Sequence, residues 1–269
     1  MRPNAGAASG EAVLEAQGLT RRFGGVVAVD DVSVRVGAGE LAGVIGPNGA
    51  GKSTLFHLIA GHLRPHRGRI SWVGQDITRQ PPERRARLGI AIAFQAVRLF
   101  RGMTVLENVM VGAHAWTHHG FWEAFLRLPR HRREEREIRA SAERALARTG
   151  LEETAGRLAE SLPLGQQRTV QIARALCANP RLLLLDEPAS GLRAGERERL
   201  AELLRGLEQE GLSMLLVEHD VAFVTGLANR ITVLDHGRVI AEGPAEQIRD
   251  DPAVITAYLG RTRERANGA

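Results

Sequence analysis

Apolar and polar positions alternate at the start of the chain. Val13-Leu14-Glu15-Ala16, Val26 to Val29, and then Val32, Val34 and Val36 at every second position predict half-buried strands. Short unbroken apolar runs follow. Glu40 to Ile45, Gly68 to Val73, Ile90 to Phe94, Leu182 to Leu185, Ser213 to Val217 and Ile231 to Leu234 predict buried strands. Helical spacing falls between them, at Ser53 to Ala60, Gln166 to Ala178 and Gly195 to Glu210, with tail helices near Glu246 and Val254. Thr104-Val105-Leu106-Glu107 has the form of a capping box ahead of the helical run Asn108 to Gly112. Residues 113–160 read as helical but differ in character, since Trp116, Phe121, Trp122 and Phe125 precede an Arg- and Glu-rich stretch. The pattern predicts an α/β core with a β-rich entry and a helical insertion.

Composition changes this reading little. With 269 residues, 43% hydrophobic and 25% charged, the chain can bury a full core. No run approaches the roughly 18 apolar residues of a membrane-spanning helix. Met1 to Gly10 lacks the apolar centre of a secretory leader. Cys177 is the single cysteine, which excludes an internal disulfide and a cysteine zinc site and fits a reducing, cytosolic compartment. The net charge of +5 could point to nucleic acid or an anionic membrane surface. The basic residues instead alternate with acids, as in Arg132, Arg133, Glu134, Glu135, Arg136 and Glu137, which describes a solvated helix face. No nucleic-acid partner is expected.

One residue breaks the pattern. All 36 basic residues but one are Arg, and the single Lys is Lys52. It lies in Gly46-Pro47-Asn48-Gly49-Ala50-Gly51-Lys52-Ser53, which matches the phosphate-loop pattern between a strand and a helix. A compact ammonium on a thin stem can thread a loop wrapped around phosphates, where a planar guanidinium is too wide. The turn aims backbone N–H groups and the positive end of a helix at an anion. Lys52 would reach the β and γ phosphates, and the Ser53 hydroxyl would ligate Mg²⁺.

Three strand ends carry further candidates. The run Leu182 to Leu185 ends in Asp186-Glu187. Asp186 would hold Mg²⁺ directly or through water, and Glu187 would polarise a water aimed at the γ-phosphorus. Ser213 to Val217 ends at Glu218-His219-Asp220, which puts His219 on the same sheet edge, able to hydrogen-bond a γ-phosphate. His57, His62 and His66 read as ordinary packing or surface groups. Gln95 follows Ile90 to Phe94, and its amide suits a ligand of Mg²⁺ or water that senses nucleotide state.

The order of phosphate loop, Gln95, Leu162-Pro163-Leu164-Gly165-Gln166, Asp186-Glu187 and His219 resembles an ABC-type ATPase from about Val13 onward. The resemblance implies a P-loop NTPase fold with a β-rich N-terminal subdomain and an inserted helical subdomain at about 96–178. The ATPase domain would span 13–260, between disordered tails 1–12 and 261–269. It implies ATP and Mg²⁺ as cofactors, with the loop from Gly46 to Ser53 and Thr54 on the nucleotide and Ser53, Gln95 and Asp186 on the metal. Phe23 matches the aromatic that stacks on adenine. Leu162 to Gln166 matches the signature offered to the partner's ATP, but Pro163 replaces its Ser and Leu164 its first Gly. Arg193 replaces the usual acid or amide of the loop after Glu187.

Phe94 to Arg101, Met103 to Asn108, the aromatic insertion and the tail Asp251 to Gly260 are similar to the ATPase of branched-chain amino acid importers. That likeness implies a second, different ATPase subunit, two integral membrane subunits and an external solute-binding protein. It implies a peripheral position at the cytoplasmic face of the cell membrane. Val97 to Met103 would dock a cytoplasmic helix of the membrane subunit. Importers of urea or short amides, lipopolysaccharide exporters and soluble ABC ATPases acting on nucleic acid share much of the pattern. A small-molecule kinase on the same loop would leave Gly165-Gln166 and His219 without a role.

Overall fold

The computed structural model describes residues 12–115 and 129–258, with side chains described for 12–113 and 135–258. Trp116, Phe121, Trp122 and Phe125 lie outside the described residues, as do both expected tails except Ala12, which opens the first strand.

Two sheets form the frame. The smaller is antiparallel, in the order β2 (Val26–Gly37), β1 (Ala12–Phe23), β4 (Arg67–Trp72), β5 (Gln75–Asp76). The larger runs β10 (Arg238–Gly243), β9 (Arg230–Asp235), β3 (Leu41–Ile45), β8 (Ser213–Val217), β7 (Leu182–Asp186), β6 (Ile90–Ala93). All its neighbours are parallel except β10, which pairs antiparallel with β9. Parallel strands need both faces covered, and the side-chain alternation shows it. Leu182 and Leu184 pack with α1 (Lys52–Ala60) and the smaller sheet, whereas Leu183 and Leu185 pack with the helices of the opposite face. That opposite layer includes α3 (Val105–Met110), α4 (Pro129–Thr149), α5 (Leu164–Cys177) and α6 (Ala194–Gln209).

The expected elements differ mainly in extent. Thr104 does cap α3, with its hydroxyl oxygen accepting from the Glu107 N–H and the Glu107 carboxylate accepting from the Thr104 N–H. Of the stretch 113–160 expected to be helical, α4 stops at Thr149 and only short 3₁₀ turns follow, at Glu152–Thr154 and Ala159–Ser161. Residues 155–159 instead run alongside 103–106, with the Val105 N–H donating to Arg157 and the Leu106 N–H to Ala155, so backbone pairing outcompetes local helicity. β10, α7 (Val221–Thr225) and α2 (Pro82–Arg87) were not expected, being too short or too polar to register as periodic. α8 (Ala245–Asp250) and a last helix at 252–258 close the described chain.

Arg85 of α2 is the largest fully buried side chain, 1% exposed in an Arg-rich helix. Its guanidinium donates to the carbonyls of Leu58 and Ile59 at the C-terminal end of α1, and to those of Ile77, Thr78 and Gln80. Those of Leu58 and Ile59 belong to the last turn of α1, at the negative end of its dipole, and that of Leu58 also accepts from the Gly61 N–H. Burial pulls the Arg85 guanidinium down to about 10, so it stays charged at neutral pH. Arg85→Met should take the guanidinium donors from these carbonyls and cost about 2–4 kcal/mol in urea unfolding, whereas exposed Arg84→Met should stay within about 0.5 kcal/mol.

Candidate nucleotide site

The parallel register fixes where the candidate groups meet. Val44, Val217 and Asp186 stand in one row across β3, β8 and β7, with both Val44 and Asp186 paired to Val217. The ladder continues past the strands: the Glu218 N–H donates to Val44 and the Glu187 N–H to Val217. Ala93 pairs with Leu185, which brings Gln95 to the level of Glu187. The phosphate loop, Gln95, Asp186-Glu187 and His219 therefore share the C-terminal edge of the sheet, where ligands of open α/β sheets sit.

The loop is shaped by close backbone contacts. A side chain at Gly46 would run into the Leu234 carbonyl, and one at Gly51 into the Ala28 carbonyl. Both have positive φ, 156° and 103°, and at Gly51 this is a conformation other residues avoid. Gly51 caps α1 without a side chain, so the first-turn amides, those of Ser53 and Thr54 among them, are left to the helix end. Ala50 donates back to the Pro47 carbonyl at 3.1 Å, closing the turn over Asn48 and Gly49. Lys52 is 5% exposed and its Nζ donates to the Gly46 and Pro47 carbonyls at 2.7 and 3.2 Å. The ammonium thus ties the loop to itself.

Three predicted side chains meet at Glu187. Its Oε2 accepts from Gln95 Nε2 at 3.0 Å and lies 3.2 Å from His219 Nδ1. The backbone here is strained, since Glu187 sits at φ 43° in the left-handed region. Fully buried Glu218 lies beneath, 3.5 Å from His219 Nδ1 and accepting from the Ala189 N–H at 2.8 Å. Burial pushes the Glu218 carboxyl up, against hydrogen bonds from Ala189 and His219 that pull it down.

Asp186 is 7% exposed, and its Oδ1 has no hydrogen-bond partner among the described residues. Burial pushes its carboxyl up, Glu187 adds to this, and His57 and Lys52 oppose it. A buried carboxylate oxygen without a donor is where a cation fits. The oxygen set of Asp186, Ser53 and Gln95 is hard, as Mg²⁺ requires when phosphates supply the rest. Among the described residues no group of three His, Cys, Asp or Glu side chains could hold a metal by itself.

The other candidates lie apart. Phe23 ends β1, 45% exposed, with the Arg21 guanidinium 4.9 Å over its ring. In the signature segment Leu162 is buried, Pro163 takes the N-cap of α5, and Leu164 is exposed at its first position. α5 thus begins two residues before the expected Gln166, with Pro163 at its N-cap making no side-chain cap. Gly165 packs on the Glu196 side chain. The Gln166 Oε1 is buried without a hydrogen-bond partner among the described residues.

Sequence reasoning missed Arg168. It is 9% exposed, and its guanidinium donates to the carbonyls of Gln95, Glu187 and Ser190. One Arg among so many carries no sequence signal.

Residues 29–190 match the family profile described as ABC transporter, and 238–263 match that described as branched-chain amino acid ATP-binding cassette transporter. The chain belongs to the ABC transporter ATPases and is an ATP-hydrolysing transporter subunit. Among its relatives is the high-affinity branched-chain amino acid transport ATP-binding protein BraF of Pseudomonas aeruginosa, 42% identical over 92% of this chain and 98% of the relative. LivG of Escherichia coli K12, a protein of the same description, matches with the same identity and coverage. The crystal structure of the ADP conformation of MJ1267, an ATP-binding cassette of an ABC transporter, superposes with a TM-score of 0.80 at 30% identity, covering 93% of this chain and 99% of that one. Among the described residues no helix is long and apolar enough to cross a membrane.

The buried acids predict a pH effect. A carboxyl raised in the folded state binds protons that the unfolded chain does not, so stability falls as pH rises from the ordinary carboxylate range through the raised value. Asp186→Asn should remove part of this and raise the nucleotide-free stability at neutral pH by about 1 kcal/mol, while abolishing the further stabilisation that Mg²⁺ with ATP gives wild type. Melting curves with and without both ligands read the two effects.

Proposed function

We propose that this chain powers the import of branched-chain amino acids, as one half of an ATPase heterodimer on the cytoplasmic face of the cell membrane. The observation that carries the reading is the meeting of Gln95, Glu187 and His219 beside a phosphate loop at one sheet edge. The amino acid class comes from the relatives named above and from the likeness of the C-terminal residues.

In this reading Lys52, Ser53, Thr54 and the amides of the loop from Gly46 to Gly51 hold the phosphates of ATP, and Phe23 takes the adenine. Ser53, Gln95 and Asp186 hold Mg²⁺, which when bound neutralises phosphate charge. Glu187 accepts a proton from the attacking water, and His219 steadies that water and the γ-phosphate. Leu162 to Gln166 faces the nucleotide of the second ATPase subunit. Pro163 removes a hydroxyl from that contact, so the change falls on the partner's site rather than on this chain's own.

Two integral membrane subunits and an external binding protein complete the importer. An open groove of about 640 Å³ suits the cytoplasmic helix of a membrane subunit. Ile90, Ile92, Phe94 and Phe100 line it, with Arg98 and Arg174 adding positive charge. Phe100 is 49% exposed and Val97 and Leu99 are half-buried, as a docking loop requires.

Glu187→Gln should retain ATP affinity and lower kcat by about 10²–10⁴-fold. Lys52→Ala should lose ATP binding, read by equilibrium titration with a fluorescent nucleotide. Deleting the gene should abolish high-affinity uptake of labelled leucine. Normal leucine uptake with lost urea uptake would instead favour the amide importers.

A further inference from the structure

Three donors on one stripe of α5, at i, i+3 and i+6, reach the backbone of the segment after β6. Arg168 Nη1 donates to the Gln95 carbonyl at 3.0 Å, Gln171 Nε2 to Ala96 at 2.8 Å and Arg174 Nη1 to Arg98 at 2.7 Å. Fully buried Asn108 of α3 completes the set, accepting from the Phe100 N–H at 2.8 Å and donating to the Phe100 carbonyl at 3.2 Å. The segment 95–100 is therefore fastened to the helical layer, although it leaves the sheet at β6.

Arg168 differs from the other rungs, because the same guanidinium also reaches the far side of the site. Its Nη1 lies 3.4 Å from the Glu187 carbonyl and its Nη2 2.5 Å from that of Ser190. A planar fork spreads its donors over two nitrogens and so spans carbonyls on two segments, which the single nitrogen of an ammonium does not. It hydrogen-bonds only to carbonyls, and burial lowers its affinity for the proton, while the nearby Glu218 and Glu187 carboxylates oppose that. The geometry points to Arg168 as a positioning residue for hydrolysis: it locks the Gln95 backbone to the Glu187 backbone, so that the Glu187 carboxylate follows any displacement of the 95–100 segment against the groove.

This inference rests on the proposed role of Glu187. The test uses the full chain co-expressed and purified with its transporter subunits, and compares Arg168→Met, Arg168→Lys and Glu187→Gln. Both Arg168 variants should stay folded, melting within a few degrees of wild type, and bind ATP within about threefold of it, yet lose kcat by about 10–100-fold, since misplacing a catalytic group by about 1 Å has that effect. Lys keeps the charge, so its failure to rescue assigns the effect to the fork. Normal kcat in Arg168→Met, or full rescue by Arg168→Lys, overturns the inference, as does a parallel loss of melting temperature and ATP affinity in both variants. If Glu187→Gln turns over normally, the reading of Glu187 itself fails. If Glu187→Gln is inactive while Arg168→Met is not, only the role of Arg168 falls.

Discussion

The hydrogen-bond register of β3, β8 and β7 is the constraint on which the site depends. Val44 and Asp186 both pair with Val217, so three chain segments far apart in sequence leave the sheet at the same level. A one-residue slip in any of these strands would exchange the two buried faces and carry its terminal side chain away from the others. The apolar sequence of β7, with Leu at four successive positions, fits both faces equally and cannot choose the register by itself. The ladder extends one residue past the strands, where the Glu187 N–H reaches Val217 and the Glu218 N–H reaches Val44.

That edge concentrates acidity. Glu187 and Glu218 are crowded around one imidazole and Asp186 adjoins Glu187, with Lys52 and Arg168 each bound to backbone oxygens. The cluster is arranged against the stability of the empty protein, as is the left-handed backbone of Glu187. Both are offset by the two cores, in which α1 and the central strands are almost wholly buried. Sites that must meet a highly charged ligand commonly carry such a conflict.

Much of this was legible in the sequence, for reasons that can be named. Lys52 stood out because every other basic residue is Arg, and the phosphate loop had a strand on one side and a helix on the other. Asp186 and His219 were legible because they end apolar runs. The rest needed tertiary context. Arg85 and Arg168 look like any surface Arg until the chain folds around them. α2 has no apolar stripe, and the limit of α4 was set by pairing between residues 103–106 and 155–159. The early start of α5 puts Pro163, which read only as a departure from a motif, at its N-cap.

Arg85 gives α1 an anchor at the end opposite the phosphate loop, and the same side chain lines the groove. The nine-residue helix therefore behaves as a short rigid rod, with the anion cradle at its tip and a cationic pivot at its heel. Pressure on the groove wall need not travel only through Gln95. It can tilt the rod from below, so a docked membrane subunit would have two mechanical inputs to one phosphate chain, entering from opposite sides.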